Sequence, residues 1–196
     1  MLRDVTHKVS DGLLGVATAT GDGLHIKVGV SPIVSSSPII VTGDMDAKKI
    51  KSRLGLSPLA DAVMDSVQFG ASRIFCIPVA ATTKGAISEI KHEGEGVGTI
   101  AADGNPTNAF SVIVKITAQG GLNTAAFAVS IDDGYSFGEE ITVPMTGTYE
   151  IAGTGLTLTF TEAQGEDQKA SSFLVDETYT FSTTAPVATN GDILAA

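Results

Sequence analysis

The chain has one cysteine, Cys76, and no tryptophan. A single thiol excludes an internal disulfide and any zinc site built on cysteines. Its neighbours Ile74, Phe75 and Ile77 mark Cys76 as a buried strand residue rather than a reactive thiol. No apolar run reaches the roughly 18 residues that a membrane-spanning helix needs. The start, Met1-Leu2-Arg3-Asp4, lacks the apolar stretch of a signal peptide, so the product is expected in the cytosol or released by lysis. Basic residues are also scarce, 12 Lys/Arg against 22 Asp/Glu for a net charge of −10. The imbalance is uneven. Residues 1–90 carry nine Lys/Arg and eight Asp/Glu, a net of +1, whereas residues 91–196 carry three Lys and fourteen Asp/Glu, a net of −11. Such asymmetry points to two units with different surroundings. It argues against nucleic acid, whose phosphates need clustered Lys/Arg. The one basic cluster, Lys48-Lys49-Lys51-Arg53, falls on a short helical stretch and reads as a solvated face or a protein contact.

What the chain does have is apolar content, 43% hydrophobic against 17% charged, in 196 residues with 22 glycines. That is a globular composition with many turns. Residues 1–10 alternate loosely and read as an extended arm or a frayed end. Gly12 to Ala19 and Leu24 to Val30 flank Thr20-Gly21-Asp22-Gly23, a hairpin signal. In the second run Leu24, Ile26, Val28 and Val30 share one face. Ser31 to Ser37 is a loop, and Pro38 to Thr42 a short buried strand. Asp44 or Asp46 caps a helix through Leu54, stopped by Gly55. Ser57 as cap and Pro58 at the first turn open a second helix. Its stripe is Leu59, Val63, Met64 and Val67, and Gly70 ends it. Arg73 to Ala81 is a strand whose Pro78 predicts an edge or a bulge. Residues 38–81 therefore read strand–helix–helix–strand.

Glu93-Gly94-Glu95-Gly96-Val97-Gly98 lacks the following helix of a phosphate loop and reads as a flexible junction. From Ala109 the period is two. Phe110, Val112, Val114 and Ile116 begin it, and runs at 124–130, 140–143, 148–151, 156–160 and 178–182 continue it. Turn residues recur at Gly120-Gly121, Asp132-Asp133-Gly134, Gly147, Gly153-Thr154-Gly155 and Gly165. This pattern predicts a small antiparallel β-sandwich. The fold class expected is α+β, with residues 1–98 as an arm and a mixed α/β region, 99–185 as an inserted sandwich, and 186–196 as the start of a return to the mixed region. Asn190 to Ala196 reads as the opening turn of a helix, so the chain is expected to be a fragment.

Ser130-Ile131-Asp132-Asp133-Gly134-Tyr135-Ser136-Phe137 fits the Asp-box pattern, a self-stabilised hairpin turn. One copy cannot build a propeller, which repeats its blades. The pairs Asp132-Asp133, Glu139-Glu140 and Glu166-Asp167 lack the spaced ligands of a calcium loop. His7, His25 and His92 are scattered, and Ser35-Ser36-Ser37 has no nucleophile context. The sequence thus offers no catalytic, cofactor-binding or metal-binding set, and no enzyme is expected.

The pattern resembles the tail sheath proteins of contractile bacteriophages and phage-like particles. Three stretches carry the resemblance: Val28-Gly29-Val30-Ser31-Pro32 closing the N-terminal β-region, Leu59 to Val79 as helix, turn and strand, and the β-rich insert. Within the insert the matching pieces are Ala125 to Gly134, Gly155 to Phe160 and Thr178 to Pro186. The resemblance implies a structural virion protein without enzymatic activity or cofactor. It would be made in the bacterial cytoplasm and stacked as rings of identical subunits around an inner tail tube protein, with no nucleic-acid or membrane partner. Residues 1–10 would be a linking arm. Two rivals remain: another tail component such as a tube or adaptor protein, and a carbohydrate- or surface-binding module. The second expects exposed aromatics, for which Tyr135, Phe137, Tyr149 and Tyr179 are the candidates.

Overall fold

A computed structural model describes residues 25–196. The first limb of the expected hairpin, the expected arm at residues 1–10, and His7 lie outside the described residues. The protein is mixed α/β and mostly sheet, with few helices.

The mixed region runs β1 (Ile26–Val30), β2 (Ile39–Thr42), α1 (Ala47–Leu54), α2 (Pro58–Gln68) and β3 (Arg73–Val79). Both helices start where the sequence directs. Asp46 accepts the Lys49 N–H at 2.7 Å, and the Ser57 hydroxyl accepts that of Ala60 at 3.2 Å. Gly55 and Gly70 take positive φ where the helices end. The helices cover one face of the sheet. Leu59, Ala60, Val63, Ile50 and Leu54 close over Val41, Ile74 and Cys76.

One expectation needs correction here. β3 is the central strand, in the order β1-β3-β2, so Pro78 lies neither at an edge nor in a bulge. The reason is local. Phe75 donates its N–H to His25 O, so odd residues of β3 face β1 and even ones face β2. β2 pairs only from Arg73 to Cys76, so the nitrogen of Pro78 points beyond the end of β2, where no N–H is needed. The apolar face of β1 is not the one that the helices cover. Ile26 and Val28 are 47% and 48% exposed. The helices instead approach over Gly29, where an added Cβ would lie 3.3 Å from Leu59 Cδ1. Absence of a side chain at Gly29 lets α2 sit close, and this outweighs the pull of the alternating valines and isoleucines.

The remaining strands are β4 (Lys91–Glu93), β5 (Thr99–Gly104), β6 (Ser111–Ala118), β7 (Ala126–Ser130), β8 (Ile141–Thr142), β9 (Thr148–Ile151), β10 (Leu156–Thr161) and β11 (Thr178–Ser182). They form two antiparallel sheets, β5-β10-β9 and β4-β11-β6-β7-β8. Each expected β-run from Ala109 onward is a strand. A short helix, α3 (Glu166–Lys169), precedes β11, and α4 (Asn190–Ala195) follows it. Inward residues of both sheets share one apolar cluster. Its spine is aromatic. Phe127 of β7 lies 4.7 Å from Phe160 of β10, and Phe160 lies 5.7 Å from Phe173, edge to face.

The mixed region and the β-rich region meet at a few points. Leu56, between α1 and α2, packs on the larger cluster, and Asn108 donates to Asp61 of α2 at 2.6 Å. The segments on either side of the β-rich region also lie together. Thr83 bridges Val187, Ile87 bridges Thr183, and Asp192 of α4 accepts the Thr82 N–H and hydroxyl at 3.2 and 3.0 Å.

Phe160→Ala removes the ring that joins the two sheets and should lower stability by about 3–5 kcal/mol. Urea denaturation followed by circular dichroism measures it. A loss under about 1 kcal/mol would mean that the sheets do not share a packed interior.

Candidate interaction surfaces

The connection from β7 to β8 is built around Asp132. The Ser130 hydroxyl donates to Asp132 Oδ1 at 2.7 Å. The Ser136 N–H donates to the same oxygen at 2.9 Å, and the Ser136 hydroxyl to Oδ2 at 2.5 Å. Gly134 N–H returns to the Ser130 hydroxyl at 2.9 Å. Asp133 and Gly134 both take positive φ, which the tight turn requires. Asp133 N–H donates to Ser111 O and Gly138 N–H to Val129 O, so the loop is tied to β6 and β7. Hydrogen bonds from the Ser136 and Ser130 hydroxyls, then from the Ser136 N–H, hold the Asp132 carboxyl down at about 2. The result is a fixed turn whose tip, Tyr135, is 92% exposed. Phe137 is also exposed, Tyr149 packs against Phe127, and Tyr179 is buried. Of the four candidate aromatics, two therefore face outward, both on this turn.

The segment 94–98 is pinned, which corrects its reading as a flexible junction. The chain passes here from β4 in one sheet to β5 in the other. Glu177, 4% exposed at the foot of β11, accepts the Gly96 N–H through Oε1. Gly98 donates its N–H to Ser172 O at 2.7 Å and accepts the Tyr179 hydroxyl at 3.2 Å. The other Glu177 oxygen, Oε2, has no hydrogen-bond partner among the described residues and faces His92 Nε2 at 3.6 Å. His92 stacks on Tyr179 with ring centroids 4.2 Å apart. Burial, and then the charge of Glu177, push the Tyr179 hydroxyl well above its ordinary pKa, so it stays a donor. An added Cβ at Gly94 or Gly96 would collide with the Glu177 side chain. The glycine spacing thus makes room for a carboxylate 81 positions beyond Gly96, and no nearby residue signals it.

The basic cluster lies on α1, where Met45, Asp46, Lys48, Lys49, Ser52 and Arg53 line a shallow depression of about 360 Å³. Lys49 pairs with Asp46 at 3.7 Å, and Arg53 donates to Ile40 O at 2.8 Å. The other singled-out residues stay apart. His25 precedes β1, His92 covers Tyr179, Ser35 to Ser37 lie in a loop, and Glu166-Asp167 begin α3. Cys76 is buried, and burial pushes its thiol up to about 11. Among the described residues no group of three or more His, Cys, Asp or Glu could hold a metal ion.

A mixed α/β region joined to two antiparallel sheets over one core defines the class of this molecule. Residues 2–196 match the family described as DUF2586, N-terminal domain, and the chain belongs to that family. No curated protein and no solved structure matches it.

Gly94→Ala forces a Cβ onto Glu177 at a backbone φ of 156°, and should cost at least about 1 kcal/mol. Gly138→Ala, with only Val129 O at 3.5 Å and an ordinary φ, should be nearly neutral. Equal effects in urea melts would contradict the clasp.

Asp132 predicts a pH effect of defined sign. Its folded pKa lies below the ordinary value near 3.8, so its stabilisation is full above about 4 and fades as pH falls toward about 2. Wild type should therefore lose its stability advantage over Asp132→Asn across that window. A gap that does not change between pH 5 and pH 2 would refute the assignment.

Proposed function

We propose that this chain is a structural virion protein, a subunit of a contractile tail sheath that polymerises around a tail tube. The observation that carries the reading is the way the β-rich region interrupts the chain. Residues 82–88 and 183–192 run side by side, so the chain leaves for β4 and comes back from β11 at nearly the same place. In this reading residues 99–185 are a sandwich inserted into a sheath core, residues 1–98 and 186–196 belong to that core, and the acidic insert faces outward. An insert with adjacent ends and its own apolar cluster can decorate a core without disturbing it.

A polymer of identical subunits needs surfaces that a single chain leaves unsatisfied. Among the described residues β1 and β2 are the outer strands of their sheet, and Ile26 and Val28 of β1 are half exposed. Free edges and open apolar faces are templates for pairing with another chain. The proposed partners are further copies of the chain and an inner tail tube protein, and the proposed location is the phage tail. No nucleic-acid or membrane partner belongs to this reading. Among the described residues no helix is long and apolar enough to cross a membrane.

A second reading has one observation in its favour. Tyr135 and Phe137 stand out from a fixed turn, as the aromatics of a carbohydrate- or surface-binding module would. Another tail component, a tube or adaptor protein, shares the polymer logic.

Negative-stain micrographs of the concentrated protein should show rings or rods of regular diameter. Single particles of monomer size at every concentration, together with glycan binding lost in Tyr135→Ala, would replace the sheath reading with the module.

A further inference from the structure

The mixed region and the β-rich region carry surfaces of opposite charge, and among the described residues no ion pair joins them. The β7–β8 connection holds Asp132, Asp133, Glu139 and Glu140 and no Lys or Arg. All four acids are exposed, and Tyr135 stands at the tip. The Asp132 hydrogen bonds and the ties to Ser111 and Val129 fix this loop before anything binds it. A preformed, rigid aromatic projection loses little conformational freedom on docking, which is the usual character of an interface anchor.

The α1 depression is the opposite in sign. Lys48, Lys49 and Arg53 rim it, Met45 contributes apolar surface, and only Asp46 opposes the positive charge. None of the salt bridges among the described residues joins α1 to the 131–140 loop. A tyrosine entering such a depression would set its ring against Lys and Arg side chains, a favourable cation–π arrangement. The flanking carboxylates would meet the same cations.

We infer that the 131–140 loop of one copy docks through Tyr135, Glu139 and Glu140 into the Lys48–Arg53 depression of a second copy. The occupant is a second copy because the chain supplies both halves of the match. The mixed region is basic around α1, and the β-rich region holds most of the negative charge. The contact is heterologous, so each docked copy presents a free loop at one end and a free depression at the other. Such head-to-tail contacts propagate into open polymers or close into rings. The inference deepens the proposed homopolymer and rests on that reading.

Sedimentation velocity over a range of concentrations at low salt tests it. Wild type should grow with concentration, and added salt should reverse the growth. Tyr135→Ala alone should weaken association about tenfold or more. A loop variant (Tyr135→Ala, Glu139→Lys, Glu140→Lys) and a depression variant (Lys48→Glu, Lys49→Glu) should each remain monomeric. These positions are exposed, and unchanged thermal melts would confirm that both variants fold. Mixed in equal amounts, each supplies the half the other lacks only once. The intact loop of the depression variant should pair with the intact depression of the loop variant, giving a 1:1 complex that grows no further. If wild type assembles and both variants assemble equally well, this contact is wrong and the polymer reading stands. If both variants are monomeric but their mixture is too, the two surfaces do not meet each other. If wild type stays monomeric throughout, the polymer reading falls and the contact with it.

Discussion

The change of sheet at residues 94–98 is the constraint on which the β-rich region depends. β4 lies at the outer edge of the five-stranded sheet, and β5, only a few residues later, begins the other sheet. The backbone cannot keep its ladder bonds through such a crossing, so its polar groups need other partners. Glu177 supplies one, Ser172 O a second and the Tyr179 hydroxyl a third. The same Tyr179 ring closes the aromatic spine through Phe173 at 6.4 Å. The polar pin and the apolar core are therefore one assembly, and loosening either would free the two sheets from each other.

Much of this was legible in the sequence where the cause is local. The helices of the mixed region start at Asp46 and Ser57 because a short acceptor side chain there satisfies a free N–H two or three residues on. β6, β10 and β11 show period two because one face of each is packed in the core. The Asp132 turn could be read from eight consecutive residues because the bonds of the Asp132 side chain reach no further than four positions. Reading failed where the cause is distant. Pro78 sits in a central strand because β2 is short, and β2 ends for reasons that no residue near Pro78 reveals. The alternation in β1 marks a face that the helices leave open, because Gly29 on the other face admits Leu59. Gly94 and Gly96 looked like flexibility, but they are the space that a buried side chain at the foot of β11 occupies.

The same division runs through the candidate surfaces. Composition alone shows that charge is segregated along the chain. Only the fold shows that the acidic loop is held rigid, that Tyr135 is pushed outward, and that the basic residues of α1 rim a depression with Met45. These are the surfaces that the proposed contact uses. Stability is concentrated in the two apolar clusters, and the features that could meet a partner lie on their outside. In the proposed sheath reading a subunit is packed and repacked in a polymer, and its interior must survive changes at its boundaries.

Native-state hydrogen exchange of the full chain in rising denaturant tests the central claim, that a pinned crossing and a shared interior make the β-rich region a single cooperative unit. The account predicts that the amides of Gly96 and Gly98 open together with those of Val114, Phe160 and Tyr179, in the same class. Ile74, Cys76 and Val63 should open in a separate class. If Gly96 and Gly98 exchange at the rate of exposed loops while Val114 and Phe160 stay protected, the crossing is not held and the account is contradicted.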